Sequence, residues 1–289
     1  MSTQGSGAPI DASGAVPAPI GVFDSGVGGL TVLRALRDAL PAEDFIYLGD
    51  TARLPYGTKS PETVERYSLQ CAEALWVRGI RCLVVACNTA SAFSLDALRR
   101  RYPDIPVIGV IEPGAAAAVA VSGSQHIAVI GTEATIAAGA YQAAIQRLNG
   151  AARVTAAPCS LFVAMAEEGW IEGPIAEAVA HRYLDPIFSA TAPAAPAAEV
   201  PDTLVLGCTH FPALAAVLRR VLPVTVHIVD SAATTAAAVA RRLPARTGSG
   251  HTQGTVRWLA TDGAARFARV SGIFLGTTLR VGDIEIIDL

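Results

Sequence analysis

The stretch LVVACNTA, Leu83 to Ala90, is an apolar run of strand length that ends on a cysteine and continues into amide and hydroxyl residues. LVLGCTHF, Leu204 to Phe211, repeats the design. An unbroken aliphatic run of this kind suits a strand buried on both faces, as in a parallel sheet covered by helices. Working outward, similar runs recur: PIGVF ending at Phe23, FIYLG at Gly49, CLVVA at Ala86, PVIGV at Val110, HIAVIG at Gly131, TLVLG at Gly207 and TVHIVD at Asp230. Between them lie stretches of 3.6-residue periodicity, among them Leu30 to Leu40, Pro61 to Arg78, Ala134 to Leu148 and Ala213 to Val221. This alternation predicts an α/β fold, and the echo between the two cysteine runs predicts two similar α/β lobes with mostly parallel sheets.

The chain has 289 residues, 52% of them apolar and 16% charged, enough for one large core or two smaller ones. A net charge of −3 and scattered arginines leave no basic face, so nucleic acid is not an expected partner. The triplet Arg99 to Arg101 reads as a solvated helix end. Residues 1–18 have neither a basic start nor an apolar segment, and read as a disordered extension rather than a signal peptide. Pro113 to Thr132 has the length of a membrane span but carries Pro, Gly, Ser, Gln and His, so no membrane association is expected. TAPAAPAAEVP from Thr191 and PARTGSGHTQG from Pro244 read as surface loops. Five cysteines with no CxxC spacing support neither a disulfide framework nor a structural zinc site; a reducing cytoplasm with functional thiols fits better.

A residue just past the C-terminal end of a parallel strand sits at the mouth of the sheet, where the next helix presents free N–H groups. Cys87 and Cys208 are expected there. The position favours anions and lowers a thiol's pKa; a move from about 8.5 to about 7 is worth roughly 2 kcal/mol. Cys71, Cys82 and Cys159 read as space-filling core residues. FDSGVGGLTVL from Phe23 has the same strand, loop and helix logic, but it lacks the third glycine of a dinucleotide fingerprint and places Asp24 where a phosphate would come. Asp24 is better read as a proton-handling group or a partner for a substrate amine, the plain alternative being a helix cap. His210, two residues after Cys208, and Glu167, in FVAMAEEG, are the remaining ionisable candidates. His126, His181, His227 and His251 have no partner pattern. Without HExxH, Cys/His ligand spacing or a P-loop, no metal or nucleotide chemistry is supported. The single lysine, Lys59, lies in the loop YGTKSP, a poor place for a Schiff base, so no cofactor is expected.

Two thiols on facing lobes suit a reaction that removes a proton from one face of a carbon and returns one to the other, which is racemisation. Ser25, Asn88, Thr89 and Thr209 are positioned to stabilise the charge that develops. The segments IGVFDSGVGGLTVL, YLGDTARLPYGTKS, VVACNTAS, VIGTEAT with GAYQ, LVLGCTHFPAL and TDGAARFARVSGIFLG resemble the cofactor-independent glutamate racemases of the aspartate/glutamate racemase superfamily. The resemblance implies an active site in the cleft between two lobes. Lobe 1 would comprise residues 19–112 and 224–289 and carry Asp24 and Cys87; lobe 2 would comprise 113–223 and carry Glu167, Cys208 and His210. It implies Cys87 and Cys208 as the catalytic pair, Asp24 beside the first, and Glu167 and His210 beside the second. Because APCSLFVAMAEEG is looser than the family pattern, Glu168 competes with Glu167 for the auxiliary acid. Substrate contacts map onto Asp24, Ser25, Tyr56, Gly57, Asn88, Thr89, Thr132, Thr135, Thr209 and His210. The implied partner is L- or D-glutamate, the implied product D-glutamate for peptidoglycan, and a homodimer is one assembly the family allows. Aspartate-specific relatives tend to carry a glutamate after GCT, where this chain has His210, so glutamate is favoured over aspartate. Two readings from other classes are a cysteine hydrolase using Cys208 with His210, although i, i+2 side chains seldom form such a pair, and a non-catalytic amino-acid-binding protein.

Overall fold

The computed structural model describes residues 18–189, 200–243 and 253–289. The expected N-terminal extension, most of the loops from Thr191 and Pro244, and His251 lie outside the described residues. Strands β1 (Ile20–Asp24), β2 (Phe45–Gly49), β3 (Cys82–Val85), β4 (Val107–Gly109), β9 (Val256–Ala260) and β10 (Ile284–Ile286) form one sheet in the order β10-β9-β2-β1-β3-β4. A second sheet contains β5 (His126–Gly131), β6 (Arg153–Pro158), β7 (Thr203–Gly207) and β8 (His227–Asp230) in the order β6-β5-β7-β8. Every pairing is parallel. β1, β2, β3, β5 and β7 are buried along their whole length, which is why they read as continuous apolar runs.

The order β2-β1-β3-β4 in the first sheet is the same as β6-β5-β7-β8 in the second. These four-stranded parts of the halves are thus topological copies, β9 and β10 being additions to the first, and the strands that precede Cys87 and Cys208 are equivalent. In each half the strand order reverses between the first strand and the third, the crevice where α/β sheets open a site at their C-terminal edge.

Three strands, β6, β9 and β10, are not marked by apolar runs in the sequence. β6 and β10 lie at sheet edges with mostly part-exposed or exposed residues, and β9, next to the edge, carries an exposed arginine. The helix expected over Ala134 to Leu148 is two helices, α5 (Glu133–Ala137) and α6 (Ala140–Leu148), because Gly139 at φ 64° breaks the run. The helix expected from Ala213 begins as a 3-10 turn, Phe211–Leu214, before α9 (Ala215–Val221). The expected return to lobe 1 at residue 224 also differs from the pairing. β8 bonds to β7 in register Thr203 with His227 through Leu206 with Asp230, so by sheet membership the crossing follows Asp230. The helix that follows, α10 (Ser231–Arg242), packs against α1 (Leu30–Ala39) of the first half and α4 (Ile111–Val121) of the second. Leu33, Leu36, Ala115, Ala118, Ala232, Ala236 and Val239 belong to this shared core. No helix among the described residues is long and apolar enough to cross a membrane.

Candidate active site

Cys87 follows β3 and is the N-cap of α3 (Asn88–Arg101), where its Sγ accepts the Ala90 N–H at 3.5 Å. Cys208 follows β7 and leads into the 3-10 turn. Both line one cavity of about 30 Å³ between the halves. Ser25, Tyr56, Gly57, Asn88, Thr89, Thr132, Thr135, Thr209 and His210, nine of the ten expected contact residues, share its wall, together with Pro55, Val163 and Gly207.

Around Cys87 the neighbours are a hydroxyl and a carboxylate. The thiol donates to Ser25 Oγ at 3.6 Å. Asp24 is fully buried behind the wall rather than on it: its Oδ2 accepts the Gly26 N–H at 2.9 Å and its Oδ1 accepts the Thr209 hydroxyl at 3.4 Å. Its bonds organise the loop that leads into α1. Burial raises its pKa, opposed by His210 and by the N–H groups of Gly29, Gly26 and Ser25. The expected lowering of the Cys87 thiol is reversed. Burial pushes it up to about 12, Asp24 adds to the push, and the Ala90 N–H and Ser25 hydroxyl oppose both without winning. Desolvation of a thiolate outweighs one helix N-terminus when the group is sealed from water.

Around Cys208 the neighbour is an imidazole backed by a carboxylate. His210 Nδ1 lies 3.8 Å from Cys208 Sγ, so this i, i+2 pair does make contact. His210 Nε2 lies 3.0 Å from Glu167 Oε1, and Arg266 donates to Glu167 Oε2 at 2.6 Å. Burial disfavours the imidazolium, but the bonds to Cys208 and Glu167 and the charges of Cys208 and Asp24 lift His210 to about 10. Burial likewise works against the Glu167 carboxylate, and His210 and Arg266 overcome it to hold the group below its ordinary value. Glu168 is exposed at the end of α7 (Leu161–Glu167), so Glu167 is the acid that reaches the imidazole. Arg266, on α11 (Ala264–Leu275), has no local signature in the sequence.

Several contacts close the two halves over the cavity. Thr89 bonds with Thr132 at 3.1 Å and Thr135 at 2.9 Å, Thr31 donates to the Thr209 carbonyl at 3.1 Å, and Tyr141 donates to Asn88 Oδ1 at 2.8 Å. Gly28 permits the closest approach: a Cβ there would stand 2.4 Å from Thr209 Oγ1 and 2.5 Å from His210 Nδ1. Cys71, Cys82 and Cys159 are buried away from the cavity wall, their thiols pushed up chiefly by burial. Among the described residues no group of three or more His, Cys, Asp and Glu side chains could hold a metal ion.

The sequence profile of the Asp/Glu/hydantoin racemase family matches residues 20–239. A glutamate racemase of Geobacter metallireducens is 50% identical over 274 residues, covering 93% of this chain and 96% of the relative. One from Koribacter versatilis is 44% identical, covering 93% and 97%. Among solved structures, the glutamate racemase of Francisella tularensis in complex with D-glutamate superposes with a TM-score of 0.83 at 35% identity, covering 94% of this chain and 97% of that one.

Proposed function

The chain belongs to the Asp/Glu/hydantoin racemase family, and from that premise we propose that it interconverts L- and D-glutamate by a cofactor-independent two-base mechanism. The observation that carries the proposal is the pair of cysteines, each just past the third strand of its own half, on the wall of one cavity. The thiolate of one takes the α-proton. The thiol of the other delivers a proton to the opposite face, and the roles exchange with the direction of reaction. Charge that develops on the substrate carboxylate meets fixed donors at the starts of the helices and at Asn88, Thr89 and Thr209.

The two sulfurs start from different conditions. Burial and the Asp24 carboxylate hold the Cys87 thiol well above its ordinary value, so this sulfur rests protonated near neutral pH. The ammonium of an amino-acid substrate supplies the positive charge that favours the thiolate on binding. Beside Cys208 the His210 imidazole, lifted to about 10 and held by Glu167, stands 3.8 Å from the sulfur. Asp24, Glu167 and His210 tune the sulfurs from outside the reacting atoms. The product would serve peptidoglycan synthesis in the cytoplasm.

Incubation of the purified enzyme with L-glutamate in D₂O, followed by polarimetry and α-deuterium analysis, tests the proposal. Inversion with deuterium incorporation and no added cofactor is expected; absence of inversion refutes it. Aspartate run in parallel measures the selectivity assigned to His210. The Cys208–His210 contact, backed by Glu167, also favours a second reading, a cysteine hydrolase. An acyl-enzyme burst on amide substrates would select it, but it leaves Cys87 without a task.

A further inference from the structure

Asn88 Nδ2 is buried and has no hydrogen-bond partner in the protein, although Asn88 is only 3% exposed and lines the cavity between the cysteines. Leaving a buried amide donor without an acceptor is costly, so an N–H of this kind that points into a site is a group waiting for a ligand acceptor. The other end of the same carboxamide is engaged. Tyr141, on α6 of the opposite half, donates its hydroxyl to Asn88 Oδ1 at 2.8 Å. Tyr141 is 1% exposed, and its ring fills the space left by two glycines: a Cβ on Gly207 would come within 3.1 Å of it and a Cβ on Gly114 within 3.4 Å. The ring thus has little freedom, and the hydroxyl is delivered to one place.

A carboxamide has one accepting end and one donating end. With the accepting end fixed by a hydroxyl donor, the NH₂ is turned toward the cavity. We propose that Tyr141 is a positioning residue which sets the Asn88 amide so that Nδ2 donates to a carboxylate of the substrate, a role that rests on the amino-acid racemase reading above. Without that hydroxyl the amide loses the bond that holds this orientation, and a turned amide would present its oxygen to the carboxylate and repel it. Because Tyr141 and Asn88 lie on different halves, the donor is aimed only when the halves are together. Closure and substrate recognition are joined in one hydrogen bond.

The test is a double-mutant cycle with Tyr141→Phe, Asn88→Ala and the pair, reading kcat and KM for glutamate in both directions and the thermal midpoint of each variant. Tyr141→Phe is expected to raise KM about tenfold with kcat changed less and the midpoint within a few degrees. In the Asn88→Ala background the same change is expected to add less than twofold. An unchanged KM in Tyr141→Phe, or effects that multiply in the double variant, would overturn the proposal. If Tyr141→Phe is too unstable to assay, Asn88→Asp tests the same orientation. It keeps the acceptor for Tyr141 and presents oxygen to the substrate, so it must lose more than Asn88→Ala; an equal or smaller loss counts against the role. Wild-type racemisation is measured first. If the wild type binds glutamate without racemising it, the mechanism fails, and calorimetric Kd values across the same cycle still decide the role of Tyr141. If it neither binds nor racemises glutamate, both fall.

Discussion

Cys87 and Cys208 occupy equivalent corners of two topologically equivalent halves, yet the charges around them are opposite. Cys87 caps a regular helix, touches a hydroxyl and has a buried carboxylate behind it. Cys208 enters a 3-10 turn and has an imidazole 3.8 Å away, held by a carboxylate that is itself held by an arginine. Backbone topology places both sulfurs at a sheet mouth, but it does not set their protonation. The side chains around them differ: burial and Asp24 push the Cys87 thiol up, while the His210 imidazole stands beside Cys208.

Removing either sulfur breaks the comparison outright. Cys87→Ser and Cys208→Ser are each expected to lower kcat/KM by about a thousandfold or more in both directions, measured by coupled assay or circular dichroism; near-wild-type turnover in either variant would rule out two bases. Erasing the cation at one corner is the next largest change. His210→Asn is expected to cost about a hundredfold in kcat and to change the dependence of kcat/KM on pH on the alkaline side, and a pH profile of the variant identical to wild type would show that the imidazole does not act on Cys208.

A smaller effect is expected from Arg266→Gln, since the arginine is half exposed and its pair with Glu167 is screened on one side. A loss of about two- to tenfold in kcat is the expectation, against Glu168→Gln, which should stay within about twofold because that residue is exposed. A reversal of these two would reassign the auxiliary acid. The mildest consequence concerns stability. The folded state raises His210 from its ordinary 6.5 to about 10, so the proton it holds stabilises the fold fully below about pH 6.5 and that contribution fades as pH rises toward 10. The urea midpoint should fall across that window, and Glu167→Gln should flatten the fall; an unchanged slope would mean that His210 is not held as the imidazolium.

Much of this was legible in the linear sequence. The apolar runs ending at Phe23, Gly49, Ala86, Gly131 and Gly207 are strands because they are buried on both faces, and burial leaves its mark residue by residue. The strands at or near sheet edges, β6, β9 and β10, left no such mark, since a part-solvated strand needs no apolar run. Nine of ten expected contact residues line the cavity because they follow strand ends or sit in glycine-containing turns that the topology brings to one edge. Asp24 is the tenth: its carboxylate accepts from Gly26 and Thr209 behind that wall.

The sequence by itself determined the alternation of strands and helices, the equivalence of the two cysteine runs and the position of both thiols past a strand end. These are short-range properties, fixed by the period of apolar residues and by what a strand-to-helix turn exposes. Only the tertiary structure decided that burial overrides the helix N-terminus at Cys87, that Glu167 rather than Glu168 meets His210, and that Arg266 and Tyr141 reach the site from the opposite half. A thiol's charge and an amide's orientation are sums over neighbours as far apart in the chain as Asp24 and Thr209, and that sum exists only once the halves have closed on each other.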